Sequence, residues 1–227
     1  MKTDRRFKRP LAYAFFCTLS LACWIACSQV CFAQQLEGDL LSRRVTLQVK
    51  NGSLLEALGR LAGQEAIPIG WELSQDDVVK HDINVDVEKT PLKDVLDLLI
   101  VSDPSYCWKV EDGVINFYPA FNRDERLQEL LSVRVKEFNP PKGLSVFAFR
   151  DAILGLPEVQ KFLLTNGLEA SHGGNCCGGA IPYMNREFRT GNAELRALLN
   201  KLIRDGQVRI WIISRTGKDR QLIHLSL

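Results

Sequence analysis

The sequence predicts an α/β chain of the α+β type, built as two tandem small modules. Each module has two helices packed on a short mixed sheet, in the order strand, helix, strand, strand, helix, strand, strand. Three observations carry that expectation. Residues 83–118 read as a strand, a helix and a hairpin in succession. The pattern of residues 45–58 returns at 83–96, a period of about 38 residues, the range in which one supersecondary unit is reused. The order of residues 87–117 then recurs at 188–225.

In the first module Val45, Leu47 and Val49 alternate with polar residues, the period of a half-buried strand, and Asn51-Gly52 ends it. Ser53 with Glu56 three positions on is a capping box. Behind it Leu54, Leu55, Leu58, Leu61 and Ala62 give a helix an apolar stripe that Gly63 stops. Residues 67–73 form a short strand that Pro68 marks as an edge, a place where a partner could add a strand. Ile83, Val85 and Val87 make the next strand, and Thr90-Pro91 opens a helix carrying Leu92, Val95, Leu96 and Leu99. Residues 106–110 and 114–118 pair through Glu111-Asp112-Gly113, whose Asp-Gly pair suits the positive φ of tight hairpins.

Residues 120–132 read as a charged, helical connector. Val133, Val135 and Phe138 give a strand that Pro140-Pro141 ends, and Leu144, Phe147, Ala148 and Ile153 have helical spacing up to a break at Pro157. Beyond a Gly-rich stretch, residues 187–189 suggest a short strand and Thr190 or Asn192 a cap. Leu195, Leu198, Leu199 and Leu202 then form an apolar stripe ending at Gly206. Val208, Ile210 and Ile212 alternate, residues 216–219 turn, and residues 222–227 pair back.

Residues 45–118 resemble the short N-terminal domain shared by bacterial secretins and TonB-dependent receptors. The resemblance lies in residues 45–49, 54–58, 83–87 and 91–99 and in Trp108 to Phe117 with the Asp112-Gly113 turn. Those motifs form a fold and carry no catalysis. The resemblance implies a periplasmic module that makes protein contacts, with an envelope protein as partner, such as an outer-membrane channel or a secretion component. No channel of its own is expected, because the 109 residues after Tyr118 lack the train of alternating strands a barrel requires.

Composition agrees with a globular body: 46% of the 227 residues are hydrophobic and 25% charged. The formal charge of +2 comes from the start of the chain, where residues 1–33 hold five Lys or Arg and one Asp. The rest carries 24 basic against 26 acidic groups, which offers nucleic acid no electrostatic attraction. The basic start followed by the uncharged residues 11–26 is the pattern of an export signal. Cleavage after Ala33 is expected, with an uncleaved anchor or a lipid junction at Cys23 or Cys27 as alternatives. Membrane contact is then expected only through an uncleaved N-terminal segment. The domain reading is an export signal at 1–33, the first module at 34–119, the connector at 120–132 and the second module at 133–227. All three readings of the start place the body outside the cytosol, in the periplasm or at the outer membrane.

Four of the seven cysteines fall in that signal, leaving Cys107, Cys176 and Cys177, too few for a disulfide scaffold. The loop at 171–180 holds His172 and the vicinal pair Cys176 and Cys177 among four glycines. It is the one stretch suited to chemistry. It could be a plain surface loop, carry a strained disulfide or reactive thiols at Cys176 and Cys177, or hold a metal through His172, Cys176 and Cys177. No cofactor is expected. Three histidines and the absence of nucleophile-elbow and phosphate-loop motifs argue against an enzyme. The expected function is a non-catalytic interaction module of the cell envelope, with a thiol- or metal-dependent sensor at Cys176-Cys177 as the alternative.

Overall fold

The computed structural model describes residues 37–73, 82–171, 183–206, 208–216 and 221–227. Residues 41–227 form one compact unit, and its architecture is mixed α and β, as expected.

The first half runs β1 (Arg44–Gly52), α1 (Leu54–Gly63), β2 (Ile69–Glu72), β3 (Ile83–Pro91), α2 (Leu92–Ser102), β4 (Tyr106–Glu111) and β5 (Val114–Pro119). Ser53 caps α1 by accepting from the Glu56 backbone N–H at 3.2 Å. The return arm expected of a capping box is diverted, because the Glu56 carboxylate pairs with Arg60 one turn on, at 2.9 Å. Asp112 and Gly113 both take positive φ, 54° and 74°, the tight turn their identities suggest. β1 and β3 pair antiparallel as a ribbon of their own.

The second half begins with α3 (Glu125–Leu131), which Asp124 caps through the Leu127 N–H at 3.0 Å. It continues with β6 (Arg134–Phe138), β7 (Leu144–Ser145), α4 (Val146–Leu154), α5 (Pro157–Thr165) and β8 (Glu169–Ser171). The chain closes with β9 (Tyr183–Met184), β10 (Thr190–Glu194), α6 (Leu195–Arg204), β11 (Ile210–Thr216) and β12 (Leu222–Ser226). Pro157 starts a new helix at its first position, where its missing N–H costs nothing. Residues 190–194 pair with β6 as a strand, so neither Thr190 nor Asn192 caps α6; Glu194 occupies that place without a side-chain bond.

One six-stranded sheet runs through both halves in the order β4-β5-β2-β11-β12-β8. Within it β4-β5-β2 and β11-β12-β8 are trios of the same kind: an antiparallel hairpin with a parallel strand outside its second member. The trios meet where β2 runs parallel to β11, Ile69 opposite Ile210 and Glu72 opposite Ile213. The expectation that residues 67–73 form an exposed edge is thereby corrected. All four residues of β2 are buried between β5 and β11. Pro68 precedes the strand and blocks nothing, since its carbonyl accepts from the Ile115 N–H at 3.0 Å.

Strand alternation sends the two cores to opposite faces of the sheet. Ile69, Trp71, Ile115 and Phe117 share one face by register, with Tyr106 set edge-on to Trp71 at 5.6 Å. Trp211 and Ile213 belong to the other face, in a cluster with Leu195, Leu198, Leu199 and Leu202 of α6. Phe138, Phe149 and Phe188 extend that cluster, with ring centroids 5.2 to 5.9 Å apart in edge-on contacts. Among the described residues no helix is long and apolar enough to cross a membrane.

Candidate functional site

His172, Cys176 and Cys177 lie outside the described residues. Cys107 is described and half-buried on β4, its thiol 3.6 Å from the Tyr118 carbonyl and in no disulfide. Burial and that thiol hold the Tyr118 phenol above its ordinary pKa, against the opposing pull of Arg123, whose guanidinium lies 4.4 Å from the ring centre. Among the described residues no group of three or more His, Cys, Asp or Glu side chains is arranged to hold a metal ion.

Among the described residues a network of polar side chains gathers at the meeting of the two trios, around Glu72. This residue ends β2, and with 1% of its surface exposed it is held by groups from two helices and the loop after β5. Arg123, after β5, donates through Nε at 3.0 Å and Nη2 at 2.6 Å, a bidentate clasp that fits a carboxylate. Arg196 of α6 donates to Oε1 at 2.5 Å, and the amide of Gln128 on α3 to Oε2. Gln128 in turn accepts from Arg196 at 3.2 Å. A carboxylate so deep in the protein needs this many donors, because each unmet lone pair would carry a desolvation cost.

Two further contacts extend the cluster. Arg215 of β11 grips both oxygens of Asp124 at 2.8 and 2.9 Å, tying the cap of α3 to the sheet. On the neighbouring stretch the Trp211 indole N–H donates to Asn200 Oδ1 at 3.0 Å, and the Asn200 amide donates to the Glu111 carbonyl at 3.3 Å. Trp211 lies against β2 at Gly70, where a Cβ would stand 2.4 Å from its ring and 2.6 Å from Asn116 Oδ1. Only glycine lets the indole lie there.

Sequence reasoning passed over this cluster. The signals were present as polar residues breaking apolar patterns: Glu72 at the end of a buried strand, Asn116 inside Val114 to Phe117, and Asn200 within the leucine stripe of α6. The arrangement can bind the halves together and fix their register, since its cations and carboxylates pair chiefly with one another, with Arg196 Nη1 and Glu111 Oε2 left buried and, among the described residues, without a hydrogen-bond partner.

On β12, His224 stands 2.9 Å from the Ser226 hydroxyl and opposite Ser171. Burial lowers its pKa below the usual imidazole value, and the positive charge of Arg150 lowers it further.

Compared with known protein families, with characterised proteins and with solved structures, the chain matches none.

Proposed function

We propose that this protein is a non-catalytic interaction module of the cell envelope, similar in role to the N-terminal domain of secretins and TonB-dependent receptors. The observation that carries the reading is the architecture of the stretch on which the resemblance rests. Among the described residues, 45–118 hold two helices, a two-stranded ribbon and a three-stranded trio, in the strand and helix order the motifs imply. The cluster at Glu72 supports it as well: its ion pairs join different elements, the use expected of a scaffold. On this reading the partner is an outer-membrane channel or a secretion component, the body is exported, and the N-terminal segment serves that export.

The test combines cell fractionation with site-specific photo-crosslinking of the full chain, beside a Cys176→Ser, Cys177→Ser double variant. Envelope location and one crosslinked outer-membrane or secretion protein, shared by both forms, would support the module. A cytosolic chain would refute it. Loss of the partner in the double variant alone would transfer the function to the cysteine loop.

A further inference from the structure

Shifting the numbering by 103 lays α2 and β4 over α6 and β11. Leu92, Val95, Leu96 and Leu99 fall on Leu195, Leu198, Leu199 and Leu202, all buried, and Trp108 and Val110 fall on Trp211 and Ile213. In the second half the edge of β11 is occupied: Ile69 and Leu73 of the β2 segment donate to the carbonyls of Arg209 and Ile213, at 3.2 and 2.9 Å. The counterparts of those carbonyls are on Tyr106 and Val110.

Backbone alternation shows that these carbonyls point away from β5. Ala120 donates to the Ser105 carbonyl at 2.8 Å, one step beyond the Tyr106 and Pro119 pair. Hydrogen-bonded pairs alternate in an antiparallel ladder, so Cys107, Lys109 and Glu111 direct their backbone groups to β5. Trp108 and Val110 direct theirs outward, as does Tyr106, whose N–H donates to the Asp103 carbonyl at 3.4 Å, and among the described residues no strand pairs with β4 there.

The flanking helix repeats the same relation. On α6, Arg196 holds Glu72, Asn200 reaches the Glu111 carbonyl, and Arg204 reaches the Asp112 carbonyl at 3.3 Å. The equivalent positions on α2 are Lys93, Asp97 and Val101. Val101 is 79% exposed, and among the described residues Lys93 pairs with its own-helix neighbour Asp97 at 2.5 Å, with both side chains about half exposed. The first half therefore presents the outward backbone of Trp108 and Val110 and, at Lys93, a cation in the place of the Arg196 that holds Glu72, while Asp97 and Val101 differ from Asn200 and Arg204, which bond the β4–β5 hairpin.

We propose that the outer edge of β4, with the Lys93 and Val101 face of α2, seats an extended segment of a partner protein running parallel to β4. By the pattern of β2 on β11, the segment has a glycine opposite Trp108 and, two residues on, a carboxylate for Lys93. Apolar residues flank the glycine. This rests on the reading of the chain as an interaction module, and it places that module's contact by strand addition. It would repeat, at the β4 end of the sheet, the kind of joint formed between β2 and β11.

A peptide with the sequence of residues 67–73 is the probe, added to the full chain and followed by hydrogen exchange and fluorescence anisotropy. The Trp108 and Val110 amides are expected to become protected. A peptide carrying Gly70→Val is expected to bind about tenfold more weakly. A peptide carrying Glu72→Lys should lose affinity for the native chain and regain it with the Lys93→Glu variant, whose exposed site leaves the fold intact. Exchange at Trp108 and Val110 that ignores the peptide would overturn the proposal, as would equal binding of the Gly70→Val peptide. So would protection that grows with protein concentration alone, which would make a second copy the occupant. If crosslinking finds an envelope partner while every peptide arm fails, only the β4 edge falls.

Discussion

Gly70 offers the sharpest probe of how the halves are joined. In Gly70→Ala the new methyl group would stand 2.4 Å from the Trp211 ring, about 1 Å inside ordinary contact. Trp211 is fully buried and cannot swing into solvent. Moving it by that distance would stretch its 3.0 Å bond to Asn200, which is itself tied to the Glu111 carbonyl. Overpacking of this kind costs about 1 to 3 kcal/mol, and a weakened buried hydrogen bond about 1 more. A loss of about 2 to 4 kcal/mol is expected in urea unfolding, read from the midpoint at constant slope. Gly59→Ala on α1 is the internal control. Nothing lies within 4 Å of its Cβ, and alanine favours a helix over glycine, so a gain of about 0.5 to 1 kcal/mol is expected. A Gly70→Ala protein as stable as the parent would refute the close approach of Trp211 and the register that produces it.

Glu72→Gln should be more damaging than its size suggests, because Arg123 and Arg196 would face one another without the carboxylate between them. The expected cost is about 3 kcal/mol, in the range for breaking a buried ion pair, and a loss below about 1 kcal/mol in the same unfolding assay would show the cluster to be incidental. His224 titrates below the imidazole value in the folded chain, so the unfolded chain binds its proton more readily. Its contribution to stability is complete above about pH 6.5, the unfolded value, and declines as the pH falls toward the folded one. His224→Gln should flatten the fall in melting temperature across that window, and an unchanged pH profile would remove His224 from the account.

Local pattern carried the elements well. The alternation of Val45, Leu47 and Val49, the Ser53 cap and the Asp112-Gly113 turn are interactions of near neighbours, and each is where its residues place it. The joint depended on contacts that no local pattern encodes. Residues 67–73 carry Pro68, a legitimate edge signal, and within the trio β4-β5-β2 the strand does lie outermost. That its outer side is filled by β11 follows only from the fold of the distant half. Asn116 and Asn200 were hidden for the same reason, since a polar residue in an apolar stripe acquires meaning only from what faces it. The candidate loop with His172, Cys176 and Cys177 is legible as composition alone.

The parallel pairing of β2 with β11 has a consequence for how the chain acquires its structure. Ile69 waits for Ile210, 141 positions later in synthesis. Until then an apolar strand has one unsatisfied side, and closing so long a loop is slow compared with forming either hairpin. The first half therefore emerges carrying an adhesive border that its own sequence cannot cover. A chain truncated after β5 would keep that border permanently, and self-association would be its natural fate.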